Sequence, residues 1–211
     1  MRKLIIASTN QGKIGEFRTL LKDFAWQIYS LADLNYLENV NETGTTFYEN
    51  AKIKAANIFQ YYPDAFVLAD DSGLCVTALD DKPGIYTARY GGADATYAEK
   101  FTLIWQELAA RQVPPTHWQA HFVCSLCLLC PWGDMFGYTG EFHGEISAEA
   151  KGDNGFGYDP IFYVPEYGMT AAEMPAELKN KISHRAKALQ ALLADLPRVL
   201  ALDPQAKESH V

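Results

Sequence analysis

Apolar and polar positions along the chain change period several times, and each change marks an element. Lys3 to Ser8 form a short apolar run that reads as a buried strand. Ile14, Phe17, Leu20 and Leu21 then recur at helical spacing, so the chain opens as strand, turn, helix. Trp26 to Ser30 predicts a second strand, followed by an irregular stretch to Gly44. Thr46, three residues ahead of Glu49, forms a capping-box pattern before the apolar positions Phe47, Ala51, Ala55, Ile58 and Phe59. Phe66 to Ala69 and Leu74 to Leu79 predict two strands meeting at "ADDSG". "KPGIYTARYGG" reads as a loop, and "ATYAEKFTLIWQELA" as a helix capped by Thr96 and Glu99. Trp118 to Cys130 and Met135 to Ile146 alternate as strands around the turn "PWGD", which predicts a hairpin. The Gly-rich loop "AKGDNGFGYDP" precedes a short strand "IFYV", and "SHRAKALQALLADL" is an amphipathic helix with Ser183 at its N-cap. Strands alternate with helices early and form a hairpin late, so the expectation is an α/β fold with a mixed β-sheet.

Length narrows this further. No linker, repeat or low-complexity tract divides the 211 residues, so residues 1–203 are expected to form one domain and 204–211 a flexible tail. The start "MRKLIIAST" lacks the apolar core of a signal peptide, and no run reaches the roughly 18 apolar residues of a membrane helix. The expectation is a soluble, cytoplasmic protein with no membrane partner. A net charge of −8 argues against nucleic acid as a partner, because that binding needs many Lys and Arg contacts. A polyanionic ligand would need positive charge concentrated locally or supplied by a metal.

Three of the four cysteines fall in "CSLCLLC", a spacing that thiolate ligands often show. The surrounding run is strongly apolar, with no Gly or Pro for a cluster loop. Cys127 would point away from Cys124 and Cys130 in a strand, so buried reduced thiols are expected.

Five stretches carry candidate chemistry. Ser8, Thr9, Asn10, Gln11, Gly12 and Lys13 lie between strand and helix, where backbone N–H groups and a lysine suit an anion; a plain loop is the alternative. Asp70 and Asp71 sit between apolar segments, which is costly unless they serve a cation or a proton transfer, and Ser72-Gly73 follows. Glu42, in "VNETGTTF", is an oxygen ligand of the kind a phosphate-bridging metal uses, whereas Glu49 already has a capping task. Phe156, Gly157, Tyr158 and Asp159 combine flat rings, a flexible backbone and an acceptor, as base stacking needs. Ser183, His184 and Arg185 begin a helix with Lys179 just upstream, and these donors could converge on one ligand edge.

In this order, "STNQGK", "ETGTTFYENA", "ADDSGL", "PGIYTARYGG", "GFGYDPIF" and "SHRAKAL" resemble the inosine/xanthosine triphosphate pyrophosphatase (Ham1-like) family. The resemblance runs from Leu4 to about Leu196. It implies an elongated mixed sheet flanked by helices, with two lobes around a central substrate cleft, and a homodimer. It also implies Mg²⁺-dependent hydrolysis of non-canonical purine triphosphates (ITP, dITP, XTP) to monophosphate and pyrophosphate. Ser8 to Lys13 match the family's triphosphate turn, with Lys13 a main counter-charge to the phosphates. Asp71 matches its catalytic carboxylate and metal ligand, Glu42 a metal-site acid, and Ser72 a substrate contact. Phe156 to Asp159, Lys179, His184 and Arg185 match base-binding positions, and Asp70 supports Asp71. Thr9 stands where a glycine is common, and Tyr158 where some members have tryptophan. A pyrophosphatase for modified pyrimidine triphosphates and a nucleotide-binding protein without turnover are the alternatives.

Overall fold

The computed structural model describes residues 2–36, 38 and 40–204. Of the expected tail, residues 205–211 lie outside the described residues. In chain order the elements are β1 (Arg2–Ile6), α1 (Gln11–Leu21), β2 (Trp26–Ser30), α2 (Phe47–Phe59), β3 (Phe66–Val76) and β4 (Lys82–Pro83). They continue with α3 (Tyr97–Ala110), β5 (Gln119–Leu129), β6 (Met135–Ile146), β7 (Phe162–Val164), β8 (Met169–Thr170), α4 (Ala176–Ile182) and α5 (His184–Leu200).

The strands form one mixed sheet in the order β2-β1-β3-β5-β6-β7-β8, with β4 paired to β3. Strand β1 runs parallel to both its neighbours, Leu4 lying opposite Ile28 and Phe66. Parallel pairs require crossover connections, which α1 and α2 supply, whereas β7 pairs antiparallel with β6 and β8.

Contacts divide the chain into two compact units: one built from the described residues of 1–71, 125–140 and 185–211, the other from 72–124 and 141–184. The chain passes from one to the other at Asp71–Ser72, Cys124–Ser125, Gly140–Glu141 and His184–Arg185. In the first unit, Ala51, Ala55 and Ile58 of α2 cover Ile5, Ala7, Val67, Ala69, Cys127 and Leu129. The alternate strand positions Leu4, Leu68 and Leu128 gather with Leu21 of α1 and Leu189, Leu192 and Leu196 of α5. Burial on both faces explains why β1 and the start of β3 read as continuous apolar runs. In the second unit, Phe101, Ile104 and Leu108 of α3 share a core with Leu74, Phe122, Phe142 and Phe162.

Local chemistry explains the helix starts. Asn10 caps α1 by accepting from the Lys13 N–H, and Thr96 with Glu99 forms a complete capping box on α3. At α2 the expected box is only half formed. Thr46 accepts from the Glu49 N–H, but the Glu49 carboxylate reaches Thr45, whose N–H and hydroxyl both donate to it at 2.7 and 2.8 Å.

The sheet differs from the sequence expectation at "ADDSG", where two strands were expected to meet. Instead β3 runs unbroken from Phe66 to Val76, and Thr77–Leu79 forms a 3-10 turn. The carboxylates of Asp70 and Asp71 remain in a buried strand because cationic side chains meet both. Helix α4 was not expected from the sequence. Among the described residues no helix is long and apolar enough to cross a membrane.

Candidate active site

Asp70 and Asp71 are neighbours on β3, so strand alternation sends them to opposite faces. Asp70 shares its face with Leu68, toward α1 and α5. Its Oδ2 lies 2.8 Å from Lys13 Nζ and 3.6 Å from Arg185 Nη2. The other amino group of that guanidinium, Nη1, pairs with Glu16 of α1. Burial pulls the pKa of Asp70 up, but the charges of Lys13, Arg185 and Lys54 outweigh it and hold the carboxyl well below the usual carboxylate range. Asp70 is therefore a fixed anion.

The turn before α1 is organised by its own polar groups. Ser8 Oγ accepts from the Asn10 N–H at 3.2 Å, and Asn10 Oδ1 from the Lys13 N–H at 3.1 Å. Thr9, Asn10 and Gln11 are exposed, while Ser8, Gly12 and Lys13 are partly buried. Gly12 lies inside the first turn of the helix. The positive end of the α1 dipole and the Lys13 ammonium thus belong to one short segment, the arrangement an anion site uses.

Asp71 shares the opposite face with Val67 and Ala69, toward α2. Its Oδ1 is 3.2 Å from Lys54 Nζ, and its Oδ2 accepts from Asn50 Nδ2 at 3.0 Å. Lys54 also lies 3.3 Å from Glu42 Oε1. Burial is the largest influence on Asp71 and pushes its pKa up, against the charge of Lys54 and the Asn50 hydrogen bond. Lys54 moves upward as well: burial opposes its charge, but Asp71, Asp70 and Glu42 together prevail.

The donor set fits a hard cation. Magnesium uses oxygen ligands, commonly one or two carboxylates with water and phosphate oxygens making up the remainder. Glu42 and Asp71 are such a pair, and the Lys54 ammonium already occupies a cation position common to both. Among the described residues no group of three or more His, Cys, Asp or Glu side chains is arranged to hold a metal ion. Substrate oxygens and water would have to complete the shell. The cysteines form no disulfide, and all four are buried.

The second unit holds the other sequence-predicted residues. Asp159 Oδ2 accepts from the Phe156 N–H at 2.9 Å and meets Lys179 Nζ at 2.5 Å. Lys179 Nζ also lies 5.3 Å from the centre of the Phe156 ring. This closure needs Gly155, with φ +76°, because a Cβ there would lie 2.2 Å from Asp159 Oδ2. Tyr158 is only 1% exposed, and its hydroxyl donates to the Thr87 carbonyl at 3.2 Å. Its ring packs edge-to-face with Tyr97, the centres 5.4 Å apart, and it belongs to the core, while Phe156 keeps partial exposure. His184 stacks on Phe122 at 4.9 Å and 15°. Ser72 is partly buried just past Asp71 on β3.

Sequence reading missed Glu16, Asn50 and Lys54. A signal for the last two exists: they precede Ile58 by eight and four residues, on the stripe that α2 buries. Polar residues on such a stripe need buried partners. Glu16 carries no comparable mark.

The Ham1 family model matches residues 4–195. A dITP/XTP pyrophosphatase of Listeria monocytogenes serotype 4b (strain F2365) is 44% identical over 200 residues, covering 95% of this chain and 97% of that protein. One from Exiguobacterium sibiricum is 43% identical over 198 residues, covering 94% and 98%. Among solved structures, a HAM1 protein from Coxiella burnetii superposes with a TM-score of 0.84 at 38% identity, over 94% of this chain and all (100%) of that one. The Staphylococcus aureus Ham1 protein gives 0.81 at 38% identity, over 93% and 98%.

Proposed function

Because the chain belongs to the Ham1 family, we propose that it hydrolyses non-canonical purine nucleoside triphosphates such as dITP and XTP to the monophosphate and pyrophosphate. The observation that carries this reading is the pairing of Lys13 and Arg185 with Asp70 on the face of β3 toward α1, and of Lys54 with Asp71 and Glu42 on the face toward α2. A chain of net charge −8 must neutralise a triphosphate locally; the three cations here already meet three carboxylates, so the net positive charge is left to the α1 amides and to the metal ion that Glu42 and Asp71 would hold.

Glu42 and Asp71 would hold Mg²⁺, which supplies charge neutralisation at the phosphates and a more acidic bound water. Asp71 orients a water for in-line attack on the α-phosphorus and accepts its proton. Burial pushes the pKa of its carboxyl up, and a cation held beside it would favour the ionised form that accepts a proton. Lys13 and the Ser8–Gly12 backbone hold the phosphates, and Asp70 keeps the Lys13 ammonium in place. Lys54 offsets charge on the opposite face of β3.

Base contacts are assigned to Phe156, Gly157, Asp159, Lys179, His184 and Arg185, with Ser72 a further substrate contact. Phe156 supplies the stacking face, and buried Tyr158 supports the loop that presents it. An oxo group at carbon 6 accepts hydrogen bonds from such donors, whereas the adenine amino group leaves them unpaired, a mismatch that costs a factor of roughly 10⁴. Four cysteines without a disulfide fit a cytoplasmic setting. A homodimer is part of this reading, and light scattering tests it.

The test of function is pyrophosphate release from inosine, deoxyinosine, xanthosine, adenosine, guanosine, cytidine and thymidine triphosphates, with and without Mg²⁺. Metal-dependent release confined to the 6-oxo purines other than guanosine is expected. No release from any of the seven would refute the proposal.

A further inference from the structure

Asn50 is fully buried (0% exposed) in the second turn of α2, on the stripe that otherwise holds Ala51, Ala55 and Ile58. An apolar side chain would fill that place without the cost of burying an amide. Capping does not explain the amide, because Thr46 already caps this helix.

The two ends of the amide have different partners. Oδ1 accepts from the Gly44 N–H at 2.8 Å, and Nδ2 donates to Asp71 Oδ2 at 3.0 Å. A backbone N–H can only donate, so Gly44 fixes which way the amide points and forces its NH₂ group toward the carboxylate. Lys54 takes the other oxygen of Asp71, so each oxygen has its own donor. At the Gly44 end the fit is equally close: a Cβ there would lie 2.7 Å from Asn50 Oδ1 and 2.9 Å from the Asn50 N. Glu42 stands two residues before Gly44 on the same loop.

We propose that Asn50 is a positioning residue for the acid pair, a bridge from Gly44 to Asp71 that holds the Glu42 loop and the Asp71 carboxylate for a divalent cation. The inference rests on the reading of Glu42 and Asp71 as the metal-holding acids.

The experiment compares wild type, Asn50→Leu and Gly44→Ala, each shown to be folded by circular dichroism and thermal melting. Mn²⁺ affinity is measured by electron paramagnetic resonance, with a non-hydrolysable α,β-methylene analogue of inosine triphosphate bound. Analogue affinity in EDTA is measured separately by calorimetry. Both variants are expected to weaken Mn²⁺ binding by about 10-fold or more, the usual range for partners of metal ligands. Affinity for the metal-free analogue should stay within about twofold, since the phosphate-holding turn is untouched. A folded variant with wild-type Mn²⁺ affinity overturns the role of Asn50; if Asn50→Leu does not fold, Gly44→Ala decides, since it disturbs the same bridge and leaves the amide in place. Wild type that binds no Mn²⁺ overturns the acid-pair reading as well, a different outcome from wild type that binds while the variants are unaffected.

Discussion

Arg185 is only 2% exposed yet carries a full charge, and it can stay buried because Glu16 and Asp70 meet it. Replacing it with alanine removes more than a base contact. It leaves Asp70 with less counter-charge in a strand that water does not reach, and breaking a buried pair in this way costs about 3–5 kcal/mol. Arg185→Ala is therefore expected to lower the urea midpoint of unfolding as well as activity on inosine triphosphate, and Arg185→Lys to recover part of the stability. Equal midpoints for Arg185→Ala and wild type would show that the ion pairs carry no such weight. The fate of individual residues also shows what a sequence can display. Lys13, Asp70 and Asp71 were visible because charge interrupts an apolar run or follows a strand. Asn50 and Lys54 carry only a faint mark, their spacing from Ile58 along the face of α2 that packs on the sheet. Their importance comes from Asp71 and Gly44, which reach them through the fold.

Between elements, glycines permit close approaches. Gly144 on β6 lies against β7, and a Cβ there would sit 2.5 Å from the Tyr163 carbonyl oxygen and 2.7 Å from the Phe162 ring. Backbone cannot swing aside as a side chain can, so Gly144→Ala should cost about 1–3 kcal/mol, read as a lower melting temperature. An unchanged melting temperature would mean that β7 shifts freely against its neighbour. Elements with a strong period, such as α2, α3 and the β5–β6 hairpin, were legible from apolar spacing and capping residues. Strand β3 was misread at its centre because Asp, Ser and Gly ordinarily signal a turn. Here Lys13, Arg185, Lys54 and Asn50 satisfy the carboxylates, and the strand continues. Helix α4, of 7 residues, is too short to show a period of its own.

For the whole molecule, the mixed sheet follows from the early alternation of strand and helix and the later hairpin, whereas the strand order depends on long-range pairing that no local pattern displays. Burial also governs the thiols. It pushes Cys127 up to about 11 and Cys75 and Cys130 up to about 12, from an ordinary value of 9.0. The folded state therefore holds protons on these thiols that the unfolded state releases. Their contribution to stability is complete below about pH 9 and is lost as pH rises toward 11 to 12. At pH 8 a thiol reagent should label none of these three cysteines in native protein and all of them in urea, and the urea midpoint should fall between pH 8 and pH 10.5. Rapid labelling of the native state would contradict this burial. The division of the chain into units has a further consequence during synthesis. Neither unit is a contiguous stretch, and the first is completed by residues from Arg185 onward. A nascent chain that has not yet emerged past Arg185 lacks a counter-charge of Asp70 and the α5 leucines that face Leu4, Leu68 and Leu128. Assembly of the charged cluster therefore waits for α5, long after α1 and β3 have been synthesised.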